Sequence, residues 1–333
     1  MRLRLGAVVA AAFAASVTAE AQRTSPPTRL DAPAAYQGSG QQQNGRFSRT
    51  VRLGRDGRFS LSNIAGEIVI TGGSSENVEI EAVKRSRGSQ RDLDEVVIEV
   101  DARAGRVDVR TVYPRRRGPD VSVSYTVMLP AAASVDVHSI SGNVRVTSVQ
   151  GTVRADSISG NVSTAGTPRL ELAKSVSGNI DLADAGSDAE LAATSISGNI
   201  RARGVKARSI DASTVSGDVQ LIDVACERIG ARSTSGSIEY SGTLARNGRY
   251  DFNSHSGDVR LTLSDAVGFD LTANTFSGTI RSDLPLVIGG IGRNQRGRGP
   301  GGINQRSVEA TFGDGSAAIT ARSFSGNVVI SKR

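Results

Sequence analysis

Aromatic residues are scarce in this sequence. Phe, Tyr and Trp together make up 4% of the 333 residues, and Trp is absent. A thick β-sandwich fills the space between its two sheets with interdigitating side chains. The scarcity of large rings therefore favours a narrow core lined by smaller apolar groups.

Cysteine occurs once, at Cys226, which excludes a disulfide within the chain. A lone cysteine is most often buried and inert, and we expect this of Cys226. The alternative is a reactive thiol or one that forms a bond between molecules.

Long apolar runs are confined to the start of the chain. Residues 1–21 begin with Arg2 and Arg4, continue with an apolar stretch and end on Ala19-Glu20-Ala21. This is the pattern of a secretory signal peptide, with an uncleaved anchor as the alternative. We expect export across the inner membrane of a bacterium, to the periplasm, the cell surface or the medium. No later stretch is long and apolar enough to span a membrane as a helix.

One phrase is abundant, Ser-x-Ser-Gly-Asn followed by Val or Ile. Its first clear copy is Ser139-Ile140-Ser141-Gly142-Asn143-Val144. The nine copies centre on Gly142, Gly160, Gly178, Gly198, Gly217, Gly236, Gly257, Gly278 and Gly326. The intervals between these glycines are 18, 18, 20, 19, 19, 21 and 21 residues, and then 48. A period near 20 residues indicates stacked repeats.

Apolar residues recur at fixed distances from each glycine. Two positions after it stands Val or Ile, and five and seven positions before it stands a second pair, Val135 and Val137 in the first copy. The third copy breaks this pattern with Glu171. Alternation with a period of two predicts strands with one buried face, joined by a bend at the Ser-x-Ser-Gly, where glycine permits a sharp turn or a close backbone approach. Because one such unit cannot bury its own apolar face, we predict an all-β fold, a parallel β-solenoid of the single-stranded β-helix kind.

The remaining segments divide the chain further. Residues 22–45 are rich in Pro and Gln and are predicted to be a disordered linker. Residues 46–130 are predicted to be β throughout, an irregular cap that starts the solenoid, with a hairpin turn at Gly105. A separate small β domain is the alternative. Residues 131–333 are predicted to carry the solenoid repeats, closed by residues 307–333.

An insert at residues 285–306 interrupts the repeats and is rich in Gly and Arg. Insertions in such arrays often lie on the binding face, so Arg293, Arg296, Arg298 and Arg306 are candidate surface-binding residues. A mobile, solvated loop is the alternative. The formal charge of +7 favours an anionic partner such as a lipid headgroup or an acidic polysaccharide. Two alternatives remain open: the partner is another envelope protein, or the charge serves only solubility. We expect no nucleic acid partner.

No pattern of catalytic residues stands out. His138 and His255 are the only histidines. They fall on repeats about 29 Å apart at a strand spacing of ~4.8 Å, too far to share a metal ion or a proton relay. No nucleophile elbow or zinc-binding helix motif occurs, so we expect no enzyme activity, no metal and no cofactor.

One group of acidic residues keeps an enzymatic alternative open. Asp181, Asp184, Asp188 and Glu190 cluster within one stretch. Polysaccharide lyases and hydrolases use paired carboxylates, so a β-helix enzyme acting on a polysaccharide is the second hypothesis. The residues after each glycine, mostly Asn, predict a polar ladder of side chains that hydrogen-bond to each other, a structural feature first and a ligand-binding ridge second.

The repeated S-x-S-G-N-[VI] phrase, with the signal sequence and the degenerate β start, resembles a bacterial β-strand-repeat family labelled "putative adhesin". The resemblance covers roughly residues 60–333. It implies a β-helix-like fold and an envelope or extracellular location, and it supplies no catalytic or binding residue. The sequence thus predicts an exported, non-enzymatic protein that binds a surface partner or has a structural role in the envelope. A part in signalling through a protein partner is a further alternative.

Overall fold

The computed structural model describes residues 43–114, 120–263, 267–288 and 306–333. These residues belong to one compact unit, Gly40–Arg333. Most of them are in strands, and the single helix among them is short, so the all-β prediction is confirmed. The predicted signal peptide, most of the predicted linker and most of the insert lie outside the described residues.

Seven strands and one helix precede the repeats. They are β1 (Gln43–Arg52), β2 (Arg58–Ala65), β3 (Ile68–Gly73), β4 (Asn77–Ser86), α1 (Gln90–Glu95), β5 (Val97–Arg103), β6 (Arg106–Val112) and β7 (Val121–Pro130). Strand β1 begins at Gln43, inside the segment predicted to be linker, because it pairs along its whole length with β4 in antiparallel.

The repeats and the ends of the insert supply the other strands of the described ranges. They are β8 (Ser134–Ser141), β9 (Val144–Thr147), β10 (Val153–Ser159), β11 (Val162–Ala165), β12 (Leu170–Ser177), β13 (Ile180–Ala183), β14 (Gly186–Thr194), β15 (Ile200–Arg203), β16 (Lys206–Ser216), β17 (Val219–Ser235), β18 (Ile238–Ser256), β19 (Val259–Leu263), β20 (Phe269–Thr275), β21 (Ile280–Ser282), β22 (Val287–Ile288), β23 (Arg306–Phe312), β24 (Ala317–Ser323) and β25 (Val328–Lys332). The strand segments on either side of one repeat glycine form what we call a rung, named by that glycine. Thus β8 and β9 form the Gly142 rung, and β2 and β3 form a degenerate Gly66 rung.

The apolar positions of the phrase face the core. In the Gly142 rung Val135, Val137 and Val144 are at most 2% exposed. The equivalent side chains of the other rungs are also buried, apart from Ile280 in the short β21 and from the irregular third copy. Burial of one such side chain contributes ~1.5–3 kcal/mol. Together they form one continuous apolar core along the stack of rungs.

The irregular third copy is a β-bulge. Strand β12 pairs Leu170 with Val153 and then Leu172 with Arg154, so Glu171 is an extra residue in the ladder. The bulge turns Leu170 and Ala173 into the core. Glu171 stays at the surface, where its carboxylate accepts a hydrogen bond from Arg154 Nε at 2.8 Å.

Successive rungs pair in parallel and in register. Strand β10 lies between β8 and β12, and β11 lies between β9 and β13. At the bend, a Cβ added to Gly160 would overlap the carbonyl oxygen of Gly142, and each of the nine repeat glycines meets the glycine of the neighbouring rung in the same way. None of the nine has a positive φ. Of the two roles predicted for these glycines, close backbone approach is therefore the one that applies.

The serine or threonine three positions before the glycine secures this bend in eight of the nine copies, all but the first. Its hydroxyl donates to the glycine carbonyl of the neighbouring rung, as Ser157 does to Gly142 at 3.0 Å. The equivalent donors are Ser175, Ser195, Thr214, Ser233, Ser254, Thr275 and Ser323, at 2.8–3.0 Å. The glycine carbonyls therefore have a hydrogen-bond donor at a point where the backbones are too close for any side chain.

The order of the rungs at the C-terminal end differs from the order of the sequence. Strand β24 pairs in parallel with both β18 and β20, and β25 pairs in parallel with both β19 and β21. The Gly326 rung therefore lies between the Gly257 and Gly278 rungs, and the prediction that residues 307–333 close the array is wrong. The Gly278 rung comes last, and β23 covers the free edge of β20 in antiparallel.

Antiparallel strands adjoin the first rung. Strand β4 pairs with β1 and β7, and β7 in turn pairs in parallel with β3. Strands β5 and β6 form the predicted hairpin, with Gly105 at φ 71° in its turn. Helix α1 was not predicted, because six residues are too few to show a helical period. The Asp92 carboxylate accepts the Ser89 backbone N–H at 2.7 Å at its start, and Leu93 is buried in the core.

We expect Gly198→Ala to lower the free energy of unfolding by about 2–3 kcal/mol, because the new methyl group overlaps the Gly178 carbonyl. Gly73→Ala is the matched control, since its nearest neighbour would be the Leu129 carbonyl oxygen at 3.8 Å. Denaturant unfolding measures both. Equal midpoints for the two variants would contradict the backbone contact at the bend.

The order of the C-terminal rungs can be tested by disulfide formation. Arg260 and Val329 are Cα partners in adjacent strands, and Arg281 is the partner of Val329 on its other side. Strands ~4.8 Å apart allow a disulfide and a separation of about 9.6 Å does not. We therefore expect Arg260→Cys/Val329→Cys to cross-link on mild oxidation and Arg260→Cys/Arg281→Cys to stay reduced. The opposite result would restore stacking in sequence order.

Cys226 is buried, as predicted, with 5% of its surface exposed. Burial raises the pKa of its thiol to about 11. At pH 8 only about one molecule in a thousand then carries the reactive thiolate. We expect a thiol reagent to label the folded chain about a hundredfold more slowly than the urea-unfolded chain. Equal rates would show that Cys226 is accessible.

Candidate functional site

An exposed row of apolar side chains runs along the stack of rungs. It is formed by the residue two positions before each rung glycine, which is the middle residue of Ser-x-Ser in most rungs. In spatial order the row consists of Ile64, Ile140, Ile158, Val176, Ile196, Val215, Thr234, His255, Phe324 and Phe276. We call it the apolar row. Nine steps of ~4.8 Å give it a length of about 43 Å.

The row faces outward because its neighbours face inward. The serine before each row residue is buried at the bend, so strand alternation turns the next side chain to the surface. Ile140, Ile158, Ile196 and Val215 are 47–50% exposed. Exposed aliphatic groups at this regularity are not required by the core. Exposed apolar residues in a contiguous patch are typical of interaction surfaces.

The row ends in stacked aromatic rings. The Phe324 ring lies between those of His255, at 4.8 Å, and Phe276, at 4.6 Å, with the planes within 12° of parallel. This stack exists because the Gly326 rung lies between the Gly257 and Gly278 rungs. His255 packs against Phe324 as the first ring of this stack.

A groove of about 520 Å³ lies at the other end of the apolar row. One wall consists of the first four row residues, Ile64, Ile140, Ile158 and Val176. The opposite wall is polar and takes one side chain from each of five adjacent strands, namely Arg110, Ser62, His138, Asp156 and Lys174. The groove therefore combines an aliphatic side with a charged side.

The charges of the polar wall are only partly paired. His138 lies between two carboxylates, with Nδ1 2.9 Å from Asp156 Oδ1 and Nε2 3.2 Å from Asp136 Oδ1. Arg110 and Lys174 are exposed, and neither side chain forms an ion pair or hydrogen bond with another described residue. Two cations of the groove are thus available to a ligand.

A buried hydrogen-bond network supports the groove at its Arg110 end. Thr111 donates to Asn63 Oδ1 at 2.9 Å and lies 2.7 Å from the Tyr125 hydroxyl. Asn63 Nδ2 donates to the Val123 carbonyl at 2.8 Å. Burial raises the pKa of Tyr125 to about 12, so its hydroxyl keeps its proton at neutral pH. The network fixes the strands that carry Ile64 and Arg110.

Ser139 lines the groove but breaks the pattern of its equivalents. Its hydroxyl is buried and has no hydrogen-bond partner among the described residues. The neighbouring rung here is the degenerate one, where Gly66 adopts φ 116°. The groove thus lies where the regular repeat begins.

The polar ladder beside the glycines is formed mainly by bonds from side chain to backbone. Bonds between side chains, as predicted, occur at Asn327, whose Nδ2 donates to Asp258 Oδ1 at 3.2 Å and whose Oδ1 accepts from Thr279 Oγ1 at 2.8 Å. Elsewhere the Asn side chains bond to the backbone of the next rung. Asn143 Oδ1 accepts the Asn161 N–H at 2.9 Å, and Asn161 Oδ1 accepts the Asn179 N–H at 2.8 Å. Asn179, Asn199, Asp218, Asp258 and Asn327 accept in the same way. The ladder has a structural role in holding adjacent bends together.

The candidate residues of the insert are largely outside the described ranges. Arg293, Arg296 and Arg298 lie outside them, and Arg306 opens β23 beside the Gly278 rung. The groove is formed at the opposite end of the stack, by the first rungs.

The acidic cluster is spread over β13, the turn after it and β14. Asp181 lies 3.9 Å from Arg201, and Asp188 lies 4.0 Å from Arg169. Asp184 occupies a turn at φ 47°, and Glu190 is exposed on β14. None of the four lines the groove.

No group of three or more His, Cys, Asp or Glu side chains in residues 43–114, 120–263, 267–288 and 306–333 is placed to hold a metal ion. Within the same residues no helix has the length and hydropathy of a membrane span.

The sequence contained a signal for the apolar row that its interpretation missed. The middle residue of Ser-x-Ser is Ile, Val or Phe in most copies. It lies an odd number of residues from the buried positions of the same strand, so strand alternation alone directs its side chain to the surface. The groove had no such signal, because Arg110 and Thr111 come from β6, outside the repeat.

Comparison with known proteins places the chain in a family. No curated protein matches it. It is similar to solved structures named "putative adhesin" from Bacteroides fragilis (11% identity, covering 87% of this chain and 97% of that one, TM-score 0.41) and from Parabacteroides distasonis (11%, 87% and 97%, 0.40). A structure named "putative lipid binding protein" from Parabacteroides distasonis is similar at 12% identity (86% and 96%, 0.44). These TM-scores are too low to transfer a role. The Toastrack DUF4097 family model matches residues 57–331, and the chain therefore belongs to the Toastrack DUF4097 family.

Proposed function

We propose that this protein is an exported parallel β-solenoid that binds a component of the cell envelope through its apolar row and catalyses no reaction. The parallel, in-register pairing of successive rungs supports the solenoid. The signal sequence predicted at residues 1–21 supports export. The resemblance to the β-strand-repeat family also implies an envelope location.

The observation that carries the binding role is the exposure of the apolar row. Seven of its side chains are large apolar groups with 37–50% of their surface exposed. They lie in line over about 43 Å, at the spacing of adjacent strands. The fold does not require apolar groups there, since Thr234 and His255 occupy the same position in neighbouring rungs. Apolar residues kept at positions where polar ones fit indicate a partner.

The hydrogen bonds and charge contacts that the polar groups already form support a role without catalysis. The repeat hydroxyls donate to glycine carbonyls, and the Asn side chains accept from backbone amides. Asp181 and Asp188 lie near arginines at the surface, away from the groove. We therefore favour binding over the polysaccharide-cleaving alternative. The arginines of the insert are proposed to add a second, salt-sensitive contact with an anionic envelope component.

We expect Ile140→Thr/Ile158→Thr/Ile196→Thr to reduce co-sedimentation of the mature chain, residues 22–333, with isolated envelope fractions by about tenfold or more. Each change removes about two apolar carbons from the row. Because Thr is native at position 234, the unfolding midpoint is expected to stay close to that of the wild type.

The control is Val97→Thr/Met128→Thr, which removes exposed apolar surface of 48% and 52% relative exposure elsewhere. It is expected to sediment like the wild type. Equal losses in both variants, or wild-type binding in the row variant, would refute the row as the binding surface. A salt series with Arg293, Arg296 and Arg298 changed to Gln tests the second contact separately.

A further inference from the structure

We infer that the groove at the start of the apolar row binds a single-chain anionic amphiphile, such as the anion of a fatty acid. The inference rests on the proposed function, since it takes the apolar row as a binding surface and assigns a ligand to one part of it. The acyl chain would lie along Ile64, Ile140, Ile158 and Val176, and the carboxylate would meet Arg110.

The shape of the groove fits one chain. Its volume of about 520 Å³ is within the ~300–1,000 Å³ typical of small-molecule sites. Its apolar wall is a line of aliphatic groups about 14 Å long from Ile64 to Val176. Such a wall suits an unbranched hydrocarbon chain, because its methylene groups are all alike and can contact the row residues in any register. The groove lining contains no phenyl, phenol or indole ring, which a pyranose would need for stacking.

The charges of the groove select an anion. His138 is held by Asp136 and Asp156, so the Asp156 carboxylate is already engaged. Arg110 and Lys174 have no partner among the described residues, which leaves the polar wall with a positive excess. Glu99 stands opposite Arg110 in the β5–β6 hairpin, yet the two form no ion pair.

The position of the cations decides which end the carboxylate occupies. The aliphatic wall ends at Ile64, and Arg110 lies one strand farther out, opposite Ser62. Lys174 lies beside the middle of the apolar row, which continues beyond it to Ile196 and Val215. A head group at Arg110 leaves the whole wall to the chain. The methylene stem of Lys174 can cover the chain while its ammonium stays in water.

Titration calorimetry with dodecanoate below its micelle concentration tests the inference, with monolauroyl glycerol as the uncharged counterpart. We expect saturable 1:1 binding to the mature chain, with dodecanoate bound about tenfold more tightly. Ile140→Thr/Ile158→Thr should weaken both ligands by about tenfold or more. Val215→Thr, in the same row outside the groove, should change neither.

The charge variants separate ligand contact from a structural effect. Arg110→Gln is expected to abolish the preference for dodecanoate and to leave monolauroyl glycerol binding unchanged. Glu99→Gln should not weaken dodecanoate, because it removes a carboxylate that competes for Arg110. If Arg110 and Glu99 acted only as a structural pair, both variants would weaken both ligands. Lys174→Gln should have the smaller effect of the two cation variants.

Three results would overturn the inference. The first is the absence of saturable dodecanoate binding. The second is a loss of affinity in Val215→Thr as large as that in Ile140→Thr/Ile158→Thr. The third is an Arg110→Gln variant that still binds dodecanoate more tightly than monolauroyl glycerol. Envelope co-sedimentation of the same variants is measured in parallel. If the wild-type chain sediments with the envelope but does not bind dodecanoate, the ligand is rejected and the proposed function stands. If only Ile140→Thr/Ile158→Thr/Ile196→Thr loses sedimentation, the apolar row stands as the envelope-binding surface.

Discussion

The contact between glycine backbones at each bend is the constraint on which the rest of the structure depends. A methyl group at any of the nine repeat glycines would overlap the carbonyl oxygen of the neighbouring rung. With hydrogen there, the bends stack at the same spacing as the strands, so both strands of each rung pair in register. The hydroxyl three positions earlier then reaches the glycine carbonyl, and the Asn side chain reaches the next backbone N–H. Side chains and backbone thereby satisfy each other at the bend.

The apolar row follows from the same geometry. A buried serine on one side and a fixed bend on the other leave the middle residue of Ser-x-Ser only the outward direction. Stacking then aligns these residues along the molecule, whatever their chemistry. Thr234 and His255 show that the position accepts polar groups. The fold therefore requires the apolar residues of the buried ladder but not those of the apolar row, and this difference supports the proposal that the row contacts a partner.

The sequence predicted those parts of the fold that depend on neighbours within one repeat or one hairpin. The buried ladders, the close approach at glycine and the Gly105 turn could be derived from alternation and residue type alone. The groove could not, because its polar wall combines Arg110 of β6 with His138 and Lys174 of the repeats. These residues are far apart in the chain, and only strand pairing places them side by side. The ladder of Asn side chains was predicted, but its hydrogen bonds to backbone amides depend on the offset between rungs.

By itself, the sequence determined the content of each rung, since a period of two and a glycine every 18 to 21 residues permit one arrangement of strand, bend and strand. Tertiary structure alone decided the order of the last rungs. All rungs present the same edges and the same apolar faces, so pairing does not distinguish one neighbour from another. The 48-residue interval before Gly326 leaves enough chain for the final rung to lie between two earlier ones. That placement brings Phe324 between His255 and Phe276, a stack that no local pattern encodes.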